Sequence, residues 1–294
     1  MASQVLTQEP AQGEEITFTV FGRTMAGKRW GTPGASPTFA LHGWLDNANT
    51  FDRLAPLLPE LDLIALDFAG HGRSEHRPPG VHYHSYTNIQ DVLAVAQVLG
   101  WSKFNVLGHS MGAAIGSEMA ALFPEKIERA VMIDGFLATG GVTAAERLEQ
   151  NRTSIENMLE TGPRSPKVFV DTEAMAQRVT QATDQSLEAA RTLVERGHVT
   201  VGKGVTWRTD PRIRYPTPLR HTRETIDLLV TQSTSPALLI VAEQGDEWYQ
   251  GEIDATAALH PNLTIERMVG PHHIHLEPAY VERVAQVVRK FLGL

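Results

Sequence analysis

The fold is decided by a five-residue stretch, Gly108-His109-Ser110-Met111-Gly112. An apolar run at residues 104–107 precedes it and an alanine-rich helical pattern follows it, so the stretch predicts a sharp corner between a strand and a helix. Glycines on both flanks leave room for such a corner, which strains the backbone at Ser110 and lifts its hydroxyl clear of the sheet. We therefore interpret Ser110 as a nucleophile.

A second turn follows the short apolar run at residues 38–41 and contains Gly43 and Trp44. We expect the backbone N–H of Met111, at the start of the predicted helix, and that of Trp44 to donate hydrogen bonds where negative charge develops during attack on a carbonyl. The two segments together predict an oxyanion hole made by Trp44 and Met111.

A histidine-rich loop, residues 270–278, lies between a strand pattern at residues 264–269 and a C-terminal amphipathic helix. Imidazole suits a general base because its pKa lies near working pH. Three histidines compete for this role. His272 lies nearest the end of the strand and is the first choice, His273 is held in reserve, and His275 is assigned to packing or hydrogen bonding within the loop.

The acid that would orient the histidine has two places in the chain. Asp246 follows the strand pattern at residues 237–241, and Asp134 follows the one at residues 130–133. Both lie between the serine and the histidine, as the expected order of serine, acid and histidine requires. We favour Asp246 slightly over Asp134, with Glu243 third.

These segments resemble the α/β-hydrolase superfamily over nearly the whole chain. The resemblance is carried by residues 42–48, 67–74, 108–112 and 270–277, and it is greatest to the serine hydrolase-like branch. It implies an α/β-hydrolase fold, which is a mostly parallel, doubly wound sheet with an inserted helical cap. It defines the fold and the reaction class better than the substrate.

The resemblance also bears on the base and the acid. The tail that commonly follows the catalytic histidine in this fold is similar to residues 276–278, at a spacing that selects His272. The family pattern generally has aspartate where Gly245 stands, so Asp246 is one residue late. Some members of the fold use the position of Asp134 instead.

Strand and helix patterns alternate at both ends of the chain, but helical patterns dominate residues 136–235. We therefore predict a core domain made of residues 1–135 and 236–294, and a helical cap made of residues 136–235. The cap should roof Ser110 and shape the substrate pocket, since pockets in such proteins form between the insertion and the sheet.

Four further residues are predicted to contact substrate: His42, Gly43, His109 and Trp207. Arginines near Trp207 could bind a carboxylate or phosphate, although such side chains more often pair with surface acids; they are Arg208, Arg212, Arg214, Arg220 and Arg223.

Asp67 and Arg73 are expected to fix the loop that contains them rather than to take part in chemistry.

The composition of the chain limits the kinds of molecule that the protein could bind. The chain has 294 residues and a formal net charge of -8, which argues against nucleic-acid binding because phosphates would be repelled. Cysteine is absent, which excludes thiolate chemistry and disulfides. Residues 1–12 lack the basic start and apolar core of a signal peptide, and no apolar run is long enough to span a bilayer. We expect a cytoplasmic monomer or homodimer without a membrane partner.

The sequence predicts a hydrolase that cleaves small to medium carboxylic esters through an acyl-enzyme. No cofactor is required, and no metal is expected because His71, His76, His82 and His84 lack a recognisable spacing with carboxylates. Hydrolysis of lactones, thioesters or the carbon–carbon bond of a meta-cleavage product could use the same apparatus. A low-turnover ligand-binding or signalling protein of this fold is the alternative from another class.

Overall fold

The computed structural model describes residues 13–137, 141–160, 167–243 and 253–294, with Glu160 described by its backbone alone. An antiparallel pair, β1 (Glu14–Val20) and β2 (Arg23–Gly31), opens the sheet. Both residues of its turn, Phe21 and Gly22, have positive φ angles, 49° and 71°. Such turns match the right-handed twist of the two strands they connect.

The other strands are β3 (Ser36–Leu41), β4 (Leu61–Leu66), β5 (Phe104–His109), β6 (Ile127–Ile133), β7 (His198–Val201), β8 (Gly204–Trp207), β9 (Ala237–Ala242) and β10 (Leu263–Met268). In the part of the chain that the structure describes, eight strands form one sheet in the order β1-β2-β4-β3-β5-β6-β9-β10, and β7 pairs with β8 in a separate hairpin. From β4 to β10 every pair of neighbours is parallel. The predicted mostly parallel α/β sheet is therefore confirmed.

The described residues include the helices α1 (Ser85–Leu99), α2 (Met111–Leu122), α3 (Ala144–Glu160), α4 (Thr172–Thr180), α5 (Leu187–Gly197), α6 (Arg223–Gln232) and α7 (Val281–Leu292). Strands β4, β5 and β9 are buried along their whole length because helices cover both faces of the sheet. Val92 of α1 and Met119 of α2 pack on one face, and Val284 of α7 packs on the other. Within the described residues, no helix combines the length and apolar character needed to cross a membrane.

Between β6 and β9 the chain leaves the sheet. Helices α4 and α5 pack on each other around a small apolar cluster that includes Met175 and Val194. Helix α6 instead packs against α2, and its Ile226 and Val230 belong to the core on that face of the sheet. The predicted cap boundaries, 136–235, remain a prediction, and the packing of α6 places the last helix of that segment with the core.

A buried arginine ties α5 to the core. Arg196 Nε donates to Asp67 Oδ2 at 2.8 Å, and its Nη1 donates to Glu15 Oε1 at 2.6 Å. Asp67 also accepts hydrogen bonds from the backbone N–H groups of Ala48 and Arg73, at 2.7 Å each. The Asp67 carboxylate therefore fixes its own loop and anchors a helix of the insertion.

Candidate active site

Ser110 lies at the tip of the corner between β5 and α2, with φ 50° and ψ -116°. A side chain at Gly108 would place its Cβ 2.4 Å from the carbonyl oxygen of Gly112, and one at Gly112 would lie 1.9 Å from the carbonyl oxygen of Leu41. Neither glycine can carry a side chain without moving backbone. The strained conformation of Ser110 is thus held by close packing on both flanks, as the predicted corner between a strand and a helix requires.

A third glycine, which the sequence did not single out, completes the corner. A Cβ at Gly135 would lie 2.4 Å from the carbonyl oxygen of Ser110, so the segment after β6 runs directly against the serine. The backbone N–H of Ser110 donates to the carbonyl oxygen of Ile133 at 3.0 Å. The ends of β5 and β6 therefore bring Ser110 and Asp134 to the same edge of the sheet.

Asp134 has a positive φ of 43° and is buried. Its backbone N–H donates to Ile240 O, and its Oδ1 accepts from the N–H of Ala242, both at 2.8 Å. Its Oδ2 accepts a hydrogen bond of 2.5 Å from His272 Nδ1. The end of β9 thus fixes one carboxylate oxygen and leaves the other to the imidazole.

The environment of His272 stabilises its charged form. Burial by itself lowers the pKa of this imidazole, but the hydrogen bond and the negative charge of Asp134 outweigh burial and raise the pKa above its ordinary value. Asp184 Oδ2 accepts the backbone N–H of His272 at 3.0 Å and holds the loop. Because the contact to Asp134 keeps the ring proton on Nδ1, Nε2 retains the lone pair that a general base needs.

The two predicted oxyanion donors come from segments in contact with each other. Met111 is the first residue of α2, so its N–H has no partner inside the helix. Trp44 follows Gly43 in a turn that the hydrogen bond from Asp46 N–H to Gly43 O, 3.2 Å long, closes. The close approach of Gly112 to Leu41 packs the start of α2 against this turn.

His42 occupies a different role from the substrate contact expected for it. The ring is fully buried, its Nε2 accepts from the N–H of Phe68 at 3.0 Å, and its Nδ1 donates to Gly43 O at 2.7 Å. Burial lowers the pKa of His42 to about 4, so the ring is neutral near pH 7. Since both ring nitrogens form hydrogen bonds with the backbone, His42 supports the turn and has no free nitrogen with which to bind a substrate.

His109 and Gly43 are also part of the supporting structure. The buried His109 ring donates from Nε2 to the carbonyl oxygen of His272 at 3.1 Å, and burial lowers the pKa of His109 to about 4. A Cβ at Gly43 would lie 2.9 Å from His109 Nδ1, so this glycine makes room for the ring. Trp207 packs within the insertion against Phe169, which does not support its predicted contact with substrate.

The alternative acids and bases lie elsewhere. Glu243 is exposed, and Asp246 lies outside the described residues. His273 Nε2 donates to Asp46 Oδ2 at 3.1 Å, and the buried His275 bonds Thr50 Oγ1 through Nε2 at 3.0 Å. Of the three histidines in the loop, the structure brings His272 to Asp134.

One group of side chains has the spacing of a metal site. Asp46, His109 and His273 are buried and offer ligand atoms that all lie within 4.8 Å of one another. The sequence did not anticipate this group, because its members come from three distant segments. The histidines weighed for a metal are dispersed instead: His71 is buried beside His42, and His84 caps α1.

Most of the arginines grouped by the sequence have protein partners. Arg212 pairs with Asp210, Arg223 pairs with Asp227, and Arg208 Nε donates to His198 O at 2.7 Å. The guanidinium of Arg214 lies over the Trp44 ring, 5.6 Å from its centroid. Arg214 is therefore the member of the group that contacts the predicted oxyanion turn.

Comparisons with known proteins agree with this architecture. Residues 39–187 match the alpha/beta hydrolase fold family. A serine hydrolase-like protein of Dictyostelium discoideum is 32% identical over 289 residues, which cover 91% of this chain and 79% of that protein. Serine hydrolase-like protein 2 of Homo sapiens is 33% identical over 70% of this chain and 67% of its own length. The chain belongs to the alpha/beta hydrolase fold family and, within it, to the serine hydrolase-like branch.

Solved structures are similar over nearly the whole chain. A hypothetical protein of Pseudomonas aeruginosa PAO1 has a TM-score of 0.91 and 37% identity, over 96% of this chain and all of its own. The thioesterase domain from the curacin biosynthetic pathway has a TM-score of 0.79 at 22% identity over 95% of this chain and 99% of its own. The second likeness concerns the fold alone.

Proposed function

We propose that the chain is a serine hydrolase that cleaves small to medium carboxylic esters, with Ser110 as nucleophile, His272 as general base and Asp134 as the acid. The observation that carries the proposal is the 2.5 Å hydrogen bond from His272 Nδ1 to Asp134 Oδ2. It lies at the carboxyl ends of the parallel strands, where Ser110 has its strained backbone conformation. Asp134 takes the place of Asp246, the first choice from sequence, because Asp134 makes this contact.

In the first half of the reaction, Ser110 Oγ attacks the ester carbonyl carbon and its proton passes to His272 Nε2. The N–H groups of Trp44 and Met111 stabilise the resulting oxyanion, and the N-terminal end of α2 adds a partial positive charge there. His272 then gives the proton to the leaving alkoxide oxygen as the carbon–oxygen bond breaks. The products are an alcohol and an acyl group bonded to Ser110.

In the second half, water replaces the alcohol. His272 takes a proton from the water as its oxygen attacks the acyl carbon, and the same two N–H groups hold the second oxyanion. Collapse of this intermediate returns the proton to Ser110 Oγ and releases the carboxylic acid. Asp134 stays ionised throughout and stabilises the imidazolium that forms twice in each turnover.

The size of the substrate is inferred from the residues above Trp44, whose ring is half exposed. Trp44 Nε1 donates to the carbonyl oxygen of Ile213 at 3.3 Å, and Arg214 covers the ring. The turn at Pro211–Arg214 therefore lies against the predicted oxyanion loop and restricts the space beside it. This arrangement favours short and medium acyl or alcohol groups over long chains.

The test is to replace Ser110 with Ala and to measure hydrolysis of short-chain p-nitrophenyl esters, lactones and thioesters. We expect activity to fall at least about 1,000-fold, because the remaining site has no nucleophile. A fluorophosphonate probe should label wild-type protein at Ser110, as located by peptide mass spectrometry, and should not label Ser110→Ala.

The matched control is Ser102→Ala, which removes an exposed serine just before β5 and should leave activity unchanged. Near-normal rates in Ser110→Ala would reject the nucleophile assignment. Slow labelling of wild-type protein without turnover of any compound would instead identify a ligand-binding protein with this fold.

A further inference from the structure

The residues next to the proposed nucleophile and the proposed base meet at one buried carboxylate, that of Asp46. His109 precedes Ser110 in the chain, and its Nδ1 lies 3.4 Å from Asp46 Oδ2. His273 follows His272, and its Nε2 donates to the same oxygen at 3.1 Å. A single side chain outside the proposed triad therefore contacts a neighbour of each of two proposed catalytic residues.

A third contact closes this group. His109 Nε2 donates to the carbonyl oxygen of His272 at 3.1 Å, and the His109 ring lies 4.7 Å from that of His272 and 4.5 Å from that of His273, measured between centroids. The backbone of the proposed base is thus bonded to the residue just before the serine. Asp46 accepts the hydrogen bond from His273 at one end of this connection and lies against the His109 ring at the other.

The position of Asp46 is set by the same turn that contains Trp44. The N–H of Asp46 closes the turn on Gly43 O, and the intervening Leu45 has a positive φ of 67°. A Cβ at Gly43 would lie 2.8 Å from Asp46 Oδ2 and 2.9 Å from His109 Nδ1, so only glycine leaves space for these two groups. The carboxylate therefore joins the oxyanion turn, the nucleophile corner and the base loop.

The negative charge of Asp46 makes its buried carboxylate a strong hydrogen-bond acceptor. Burial alone raises the pKa of this carboxyl, but the charge and hydrogen bond of His273 outweigh burial and hold the pKa well below its usual range. An ionised buried carboxylate makes stronger hydrogen bonds than a neutral amide of the same shape. Replacing it with an amide should weaken the hydrogen bond from His273 while changing little in volume.

We propose that Asp46 is a positioning residue: it accepts the hydrogen bond from His273 and so holds the His272 loop against the Ser110 corner, where the His109 ring packs beside it, without touching substrate or the reacting atoms. The kinetic part of this inference rests on the proposed function. It assigns a role to a residue that neither the triad pattern nor the oxyanion pattern includes. Misalignment of a catalytic group by about 1 Å can lower a rate by about 100-fold, which sets the scale of the effect.

The experiment compares Asp46→Asn with Asp62→Asn. Asp62 is also buried, but it lies at the start of β4, at the opposite end of the parallel strands, where it accepts hydrogen bonds from Arg29 and from the backbone N–H of Gly34. We expect both variants to lose thermal stability, since each loses a buried carboxylate. Only Asp46→Asn should lower kcat, by about 10-fold to 100-fold, with KM within about twofold of wild type.

A second readout does not depend on turnover. The Nδ1–H of His272 should give a low-field proton NMR resonance, assigned by its disappearance in His272→Gln. We expect this resonance to shift or broaden in Asp46→Asn and to stay in place in Asp62→Asn. If wild-type protein hydrolyses nothing, the proposed function fails, while the resonance still decides whether Asp46 positions the ring.

Two results would overturn the proposal. One is an Asp46→Asn variant with wild-type kcat and an unchanged His272 resonance. The other is one equivalent of tightly bound metal in purified wild-type protein, measured by elemental analysis and absent from Asp46→Asn, because Asp46 would then be a metal ligand rather than a hydrogen-bond acceptor.

Discussion

At the scale of single residues, the hydrogen bond from His272 to Asp134 decides which imidazole nitrogen is protonated. A general base must be neutral to accept a proton, so we expect the activity of the proposed enzyme to rise with pH as His272 loses its charge. Since the charge and hydrogen bond of Asp134 raise the pKa of His272, we expect this rise above the ordinary value for histidine. The buried rings of His42 and His109, whose pKa values are lowered to about 4, are already neutral in this range.

We expect the acid limb of kcat/KM to have its midpoint above about 6.5, the ordinary pKa of histidine. Asp134→Asn removes the charge that raises the pKa of His272, while burial continues to lower that pKa, so the midpoint should move to lower pH. The value of kcat should fall by about 1,000-fold to 10,000-fold. Both quantities come from pH profiles measured with a rapidly hydrolysed ester. A midpoint below 6 in wild-type protein, or no shift in Asp134→Asn, would contradict the assignment of the acid.

The role of a residue can be predicted from sequence where the local backbone geometry requires a particular residue type. The glycines around Ser110 predict the corner, and the position of His272 after the last strand predicts its place at the sheet edge. The choice between Asp134 and Asp246 stays open in the sequence, because each follows a strand that ends at the same edge. Asp46 gives no local signal, since its partners lie 63 and 227 residues away in the chain.

At the scale of elements, the corner between β5 and α2 depends on how closely α2 approaches β3. Gly112 and Gly116 lie one turn apart on α2, but their surroundings differ. A Cβ at Gly112 would overlap the backbone of Leu41, whereas a Cβ at Gly116 would lie 3.4 Å from a methyl carbon of Val106, which is ordinary contact. The same substitution therefore has opposite consequences at the two positions.

We expect Gly112→Ala to lower the free energy of unfolding by about 3 kcal/mol or to prevent folding, because backbone must move to admit the methyl group. Gly116→Ala should leave stability unchanged or raise it by up to about 1 kcal/mol, since alanine is the better helix former. Urea unfolding followed by circular dichroism measures both values. Equal effects in the two variants would show that α2 is not held close to β3.

Strand positions are well predicted because parallel strands covered on both faces are continuous apolar runs, as in β4 and β9. The hairpin of β7 and β8 was not predicted. Its strands have four residues each and lie in a segment whose helical periodicity is stronger. Four residues are too few to establish a period of two against neighbouring helical patterns.

At the scale of the whole molecule, α5 is fastened to the core at several points. Asn47 Nδ2 donates to the carbonyl oxygen of Leu193 at 2.9 Å, and Asn49 Nδ2 donates to that of Thr192 at 3.0 Å. Arg196 adds the buried ion pair with Asp67, in which both side chains are at most 1% exposed. No local pattern predicts this pair, since its members are 129 residues apart.

We expect Arg196→Met to lower the free energy of unfolding by about 3 to 5 kcal/mol, because Asp67 would remain buried without its cation. The matched control on the same helix is Arg191→Met, which removes an exposed pair with Glu173 and should cost less than about 1 kcal/mol. Both are measured by urea unfolding at pH 7. Similar small losses in the two variants would mean that water reaches Asp67.

The pairing of β6 with β9 has a consequence for how the protein is made. Asp134 is oriented by the N–H of Ala242, which lies 108 residues further along the chain. At a synthesis rate of about 5 to 20 residues per second, the ribosome needs on the order of 5 to 20 seconds to deliver that partner. During this interval β6 is an unpaired edge strand of a growing apolar sheet, so the carboxylate acquires its final orientation only after β9 has been made, and the edge is open to wrong pairing until then.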